Sequence, residues 1–152
     1  TLEAFAEADV TEVEQYVKPC GFYHTKARDI VECAKILLIK HGGKVPGTME
    51  ELLKLPGVGR KTANLILGDV FKAPGAVVVD THCIRLSNRM GLVDNQKDPA
   101  KIEPLLRAQL PPEKSSDFCH RLVLHGRAVC TARSPECGRC CVRHVCQTGS
   151  GQ

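Results

Sequence analysis

No stretch of the 152-residue sequence approaches the run of about 20 apolar residues that spans a bilayer, which excludes a transmembrane helix. The first residues also lack the basic, apolar and small-residue order of a secretory signal. No internal repeat divides the chain. Val77, Val78 and Val79 form the one strand-like run, and three residues without a partner strand read as a buried extended link, so no sheet is expected. A strong charge bias is missing too: 21 Lys and Arg stand against 17 acidic residues, and a net charge of +4 permits a polyanionic partner without requiring one. What is present is 43% apolar residues, enough for the core of one ordinary domain or two small lobes. A protein of the cytoplasm that makes no use of a membrane is expected.

The chain reads as a series of helices. Thr11 with Glu14 and Thr48 with Glu51 fit capping boxes, and Thr25 is placed to cap the long segment that follows. Ala27, Ile30, Val31, Ala34, Leu37 and Leu38 recur at helical spacing, so one face of that helix is buried, and Gly42 and Gly43 end it. After Leu55 the next helix carries Ala63, Ile66, Leu67 and Val70 and stops before the turn-prone residues 72–75. The valine link then leads into a helix from Thr81 to Met90. Asp98-Pro99 opens another, in which Pro104 removes an interior hydrogen bond and predicts a kink or a later start. A last helix from Ser116 to Val129 delivers the chain to Cys130, and residues 148–152 read as a loose tail.

Nine cysteines are an odd number, and five of them sit in residues 130–146, which argues for metal rather than a disulfide framework. Cys130, Cys137, Cys140 and Cys146 are spaced C-x6-C-x2-C-x5-C, and thiolates are strong ligands for both zinc and iron. Zinc ribbons usually pair two C-x2-C knuckles, whereas only Cys137 and Cys140 form one here. Cys141 is a fifth candidate ligand, and Cys20, Cys33, Cys83 and Cys119, with mostly apolar neighbours, read as small core residues. Arg133, Arg139 and Arg143 place positive charge in or beside the loop, where it can meet a phosphate backbone.

In Leu55 to Asn64, LPGVGRKTAN, Gly57 and Gly59 allow positive φ and close backbone approach at the start of a helix, with Arg60 and Thr62 on either side of Lys61. Such a turn suits a phosphate. The helix dipole and neighbouring Arg60 both disfavour a protonated amine on Lys61, and a neutral lysine is a nucleophile that forms a Schiff base with an aldehyde-like carbon. Asp80 precedes Thr81 and is placed as an N-cap; a carboxylate there also suits the stabilisation of a sugar cation or acceptance of a proton.

The hairpin resembles the helix-hairpin-helix motif of DNA repair proteins, which grips the backbone without reading sequence. With VVVDTHCIRLSNRMGLV, LHGRAVC and the four cysteines, the resemblance becomes one to the endonuclease III family and covers nearly the whole chain. It implies an all-α helix-hairpin-helix glycosylase fold with a C-terminal [4Fe-4S] loop. Residues 1–75 would form a partial helical-barrel lobe containing the hairpin, and residues 76–152 an iron-sulfur lobe. The family's nucleophile falls on Lys61, its aspartate on Asp80 and its cluster ligands on Cys130, Cys137, Cys140 and Cys146. Contacts to DNA would come from Gly57, Gly59, Arg60, Thr62, His82 and Arg133, with Phe22, in CGFYHTKA, as the wedge that fills the gap left by a flipped nucleotide. A monovalent cation at the hairpin is implied as well. The implied partner is duplex DNA containing damaged bases or abasic sites, the implied lesions oxidised pyrimidines, the implied state a monomer associated with the nucleoid.

That family normally has several further helices before the point where this sequence begins, so an N-terminally truncated chain is expected. Adenine mismatch glycosylases share the cluster but normally lack a lysine at the Lys61 position, which favours the lyase-competent branch. Two rivals come from other classes: a non-catalytic DNA-binding module in which Lys61 only contacts phosphate, and a zinc-stabilised interaction domain.

Overall fold

A computed structural model of the protein describes residues 1–150. It is helical, and among the described residues there is no strand. The chain divides into two compact units, Thr1–Ala63 and Asn64–Gln152.

The first unit contains α1 (Leu2–Glu7), α2 (Val10–Val17), α3 (Tyr23–His41), α4 (Met49–Leu52) and the first turn of α5 (Arg60–Asp69). Both α1 and α2 pack on α3. The face expected from the periodicity is the one covered: Ala27, Val31, Ala34 and Leu37 are buried. Gly42 and Gly43 stop the helix in the left-handed region, at φ 58° and 76°, with the Gly43 N–H returning to Leu37 O at 2.9 Å. Two expected caps are displaced. Asp9, rather than Thr11, caps α2, and its Oδ1 accepts both the Thr11 N–H and the Thr11 hydroxyl. The α3 helix begins at Tyr23, two residues before Thr25, with Phe22 at its N-cap. Thr48 does cap α4: its Oγ1 accepts the Glu51 N–H and its hydroxyl donates to Glu51 Oε2. Cys33 is half-buried, but Cys20 is exposed and is not a core residue.

In the second unit, the link Ala76–Val79 is buried and forms no strand, as read, and leads into α6 (Thr81–Met90). It is followed by α7 (Pro99–Gln109), α8 (Ser115–Ala128) and α9 (Gln147–Ser150). Val77, Cys83, Leu86, Ile102, Leu106, Cys119 and Leu122 make the core. Val70 lies past the end of α5 and is exposed, contrary to its place in the expected pattern. The α7 helix runs through Pro104, because the missing N–H faces the carbonyl of Ala100, an exposed residue that water can satisfy. Buried Glu103 is paired at 2.7 Å with Arg107, whose Nε also donates to Gly75 O. The expected loose tail is instead tied down: Thr148 Oγ1 donates to Arg89 O at 2.9 Å and Gly149 is buried. Residues 151 and 152 lie outside the described residues.

Candidate nucleic-acid interface and metal centre

The hairpin is set by three buried apolar anchors, Leu52, Leu55 and Ala63, which hold α4 and the start of α5 in the first unit. The Val58 N–H closes the turn on Leu55 O, and the Ala63 N–H bonds Gly59 O, making Gly59 the residue that leads into α5. The two glycines do different jobs. Gly57 has φ 72°, and an added Cβ would also meet the Asp29 side chain at 3.1 Å. Gly59, contrary to the sequence reading, has no positive φ; a Cβ there would meet nothing within 4 Å, so the space before the helix N-terminus is open. Arg60, Lys61 and Thr62 follow in that first turn, all exposed. Open space, outward residues and the positive helix end form a surface suited to a phosphate. Lys61 belongs to this unit and Asp80 to the other.

Asp80 caps α6, its Oδ1 accepting the Cys83 N–H at 2.8 Å. Behind it the link is held by sulfur: the Val78 N–H donates to Cys119 Sγ at 3.3 Å. The Cys83 thiol donates to Cys119, and that bond together with burial holds Cys83 protonated far above the ordinary thiol range. Two residues past Asp80, His82 is half-buried and its Nδ1 lies 3.1 Å from Arg85 Nη2. Arg85 also donates to Gly126 O and Cys130 O, the last carbonyls around the end of α8. Its role as a bridge between the start of α6 and the first cysteine of the loop escaped the sequence reading. So did the role of Arg89, one turn on. The signal available was a pair of arginines at i, i+4 on a helix whose remaining face is apolar.

Residues 130–146 wrap around an apolar hollow lined by Met90, Val129 and Val142 with Cys130, Cys137, Cys140 and Cys146. All nine cysteines are free thiols, and Cys141 is exposed and does not line the hollow. Among the described residues no three His, Cys, Asp or Glu side chains converge tightly enough to hold a single ion. Two further side chains face the sulfurs: Arg89 Nη1 donates to Cys130 Sγ at 3.3 Å, and His125 Nε2 lies 3.4 Å from Cys140 Sγ. Arg133 is exposed on the arm between Cys130 and Cys137, where the Thr131 hydroxyl donates to Ser134 O. Phe22 is 89% exposed and left-handed at φ 49°, so it is not a core residue.

Fold and site together define a helix-hairpin-helix protein with a C-terminal loop whose cysteines suit a metal centre. Residues 1–112 match the HhH-GPD superfamily base excision DNA repair proteins, and residues 130–146 match the iron-sulfur binding domain of endonuclease III. The chain is 43% identical over 143 residues to endonuclease III of Synechocystis, covering 94% of this chain and 65% of that protein. Against endonuclease III of Thermotoga maritima the identity is 42% over 147 residues, covering 97% and 68%. It also superposes with a TM-score of 0.91, at 37% identity, on a trapped endonuclease III-DNA covalent intermediate, covering 99% of this chain and 70% of that one. The chain belongs to the endonuclease III family and carries its [4Fe-4S] centre. It spans about two thirds of the length of these relatives.

Proposed function

We propose that the chain acts in base excision repair as a DNA glycosylase with abasic-site lyase activity, on oxidised pyrimidines in duplex DNA. The observation that carries this reading is Lys61: an exposed amine in the first turn of α5, directly behind a hairpin whose open face suits a phosphate. A relative at 37% identity whose structure is a trapped covalent intermediate with DNA supports it.

The damaged base is too deep in the duplex for an amine to reach its sugar carbon, so the nucleotide is flipped out, at a cost of a few kcal/mol. The hairpin amides and Arg60 and Thr62 hold the phosphate, with a monovalent cation at the hairpin, and Phe22 fills the vacated stack. Lys61 Nζ attacks the sugar C1′ and the base leaves; Asp80 supports that step by stabilising positive charge on the sugar or taking the proton from Lys61. The resulting Schiff base acidifies the neighbouring sugar proton, and β-elimination breaks the strand on the 3′ side. Cys130, Cys137, Cys140 and Cys146 would hold the [4Fe-4S] cluster, which supplies structural support to residues 130–146 when bound. Arg133 on that loop meets the DNA backbone, with His82 a further contact. The working form is a monomer associated with the nucleoid.

Borohydride trapping on duplex DNA with an abasic site tests the reading. A covalent complex formed by the wild type and absent from Lys61→Ala is expected. A folded, cluster-containing protein that binds the DNA without being trapped would instead be a binding module.

A further inference from the structure

We propose that Arg89 is a positioning residue that couples the electron affinity of the iron-sulfur centre to the aim of the DNA-facing arm bearing Arg133. The proposal rests on the assignment of the four cysteines as ligands and of Arg133 as a DNA contact.

Arg89 lies in the last turn of α6 and reaches both ends of the cysteine loop. From Nη1 it donates to Cys130 Sγ at 3.3 Å and to Thr131 O at 2.7 Å, and from Nη2 to Ala132 O at 2.9 Å. Its own carbonyl receives the Thr148 hydroxyl at 2.9 Å and lies 3.3 Å from Cys146 Sγ. One residue thus touches the first and last of the four cysteines and two consecutive carbonyls of the arm that leads to Arg133. His125, the other side chain at a sulfur of the ring, lies with Nε2 3.4 Å from Cys140 Sγ.

Two consequences follow from the chemistry of a guanidinium. A positive donor on a ligand thiolate stabilises the more electron-rich state of a cluster, because hydrogen bonds to the sulfurs and net charge set its potential. The planar fork also fixes direction: Nη1 on Cys130 and Thr131 orients Nη2 toward Ala132, so the residue before Arg133 is held relative to the metal ligand. A lysine keeps the charge but offers its donors from a single atom, and cannot span the sulfur and both carbonyls.

Arg89→Met and Arg89→Lys, made in the full chain and checked for iron content, separate the two effects. Film voltammetry on Arg89→Met is expected to show the reduced state disfavoured about tenfold, which is about 59 mV for one electron. Affinity for a duplex with an uncleavable abasic analogue is expected to fall in Arg89→Met as far as in Arg133→Ala, and no further in the double variant. Arg89→Lys is expected to recover most of the potential and little of the affinity. The proposal is overturned if Arg89→Met holds its cluster at the wild-type potential, if the two affinity losses simply add, or if Arg133→Ala binds like the wild type. Should Arg89→Met fail to take up iron, Arg89→Lys decides: weakened binding supports the proposal and wild-type binding overturns it. Failure of the ligand assignment is seen separately, as wild-type protein without iron, and removes the proposal with it.

Discussion

The carboxylate of Asp80 accepts the backbone N–H of Cys83 at 2.8 Å, so the residue assigned to the chemistry is also the N-cap of α6. The two roles separate by substitution. Asparagine keeps an acceptor for the Cys83 N–H but no charge, so Asp80→Asn is expected to melt with the wild type while losing about 10²–10⁴-fold in base-release rate. Asp80→Ala is expected to lose the same activity and about 1 kcal/mol of stability. Single-turnover kinetics with thermal denaturation check both, and an active Asp80→Asn would remove Asp80 from the mechanism.

Phe22 combines a left-handed backbone with a side chain 89% exposed, a conformation that costs a non-glycine residue about 1–3 kcal/mol. Phe22→Gly is therefore expected to raise the melting temperature and, by removing the wedge, to weaken binding to abasic DNA. Phe22→Ala should weaken binding equally without the gain in stability. Binding unchanged in both would show that the ring has no part in holding DNA.

Gly126 leaves no room for a side chain, since an added Cβ would lie 2.5 Å from His82 Nδ1 and 2.9 Å from Arg85 Nη2. Gly126→Ala is expected to push the imidazole and guanidinium aside and to destabilise the protein by about 1–3 kcal/mol. Chemical denaturation of the cluster-loaded protein measures this directly; wild-type stability would mean that His82 moves at no cost.

Asp69 accepts His120 Nε2 at 2.7 Å and the Ser116 hydroxyl at 3.1 Å, and the His120 bond holds its carboxyl below the ordinary 3.8. A carboxyl lowered in the folded state contributes its full stability above 3.8 and loses it as pH falls through the lower native value. Because the pair is 41–48% exposed, the contribution is about 1 kcal/mol or less. Asp69→Asn should therefore be slightly less stable than the wild type at pH 7, with the difference vanishing below that range. A constant difference down to strong acid would contradict the linkage.

The sequence disclosed those features whose chemistry is local. Two glycines ahead of a lysine and four spaced cysteines in one loop are local patterns, and the structure sets the lysine in the first turn of α5 and the four cysteines around one hollow. Caps were harder to read because they depend on which of several neighbouring acceptors the tertiary structure selects. Asp9 displaced Thr11 by lying two residues nearer the helix start, and Phe22 displaced Thr25 although its backbone is strained there. Cys20 was read as core from apolar neighbours, yet it ends a short turn at the surface while Cys83 and Cys119 are buried. Arg85 and Arg89 escaped notice because their partners are carbonyls more than forty residues away. Main-chain oxygens leave no mark in a sequence.

Three consecutive valines cannot tell one another apart, and among the described residues the buried link they form has no neighbouring strand to fix its position along its own axis. Within the valines, the bond that indexes it is the Val78 N–H on the sulfur of Cys119, a residue from α8, alongside the Gly75 N–H on Pro112 O at its start. Slippage by a single position would bring Val79 to that sulfur and draw Asp80 out of the cap. The placement of the proposed catalytic carboxylate along the chain is thus metered in part by a thiol that takes no part in the proposed chemistry.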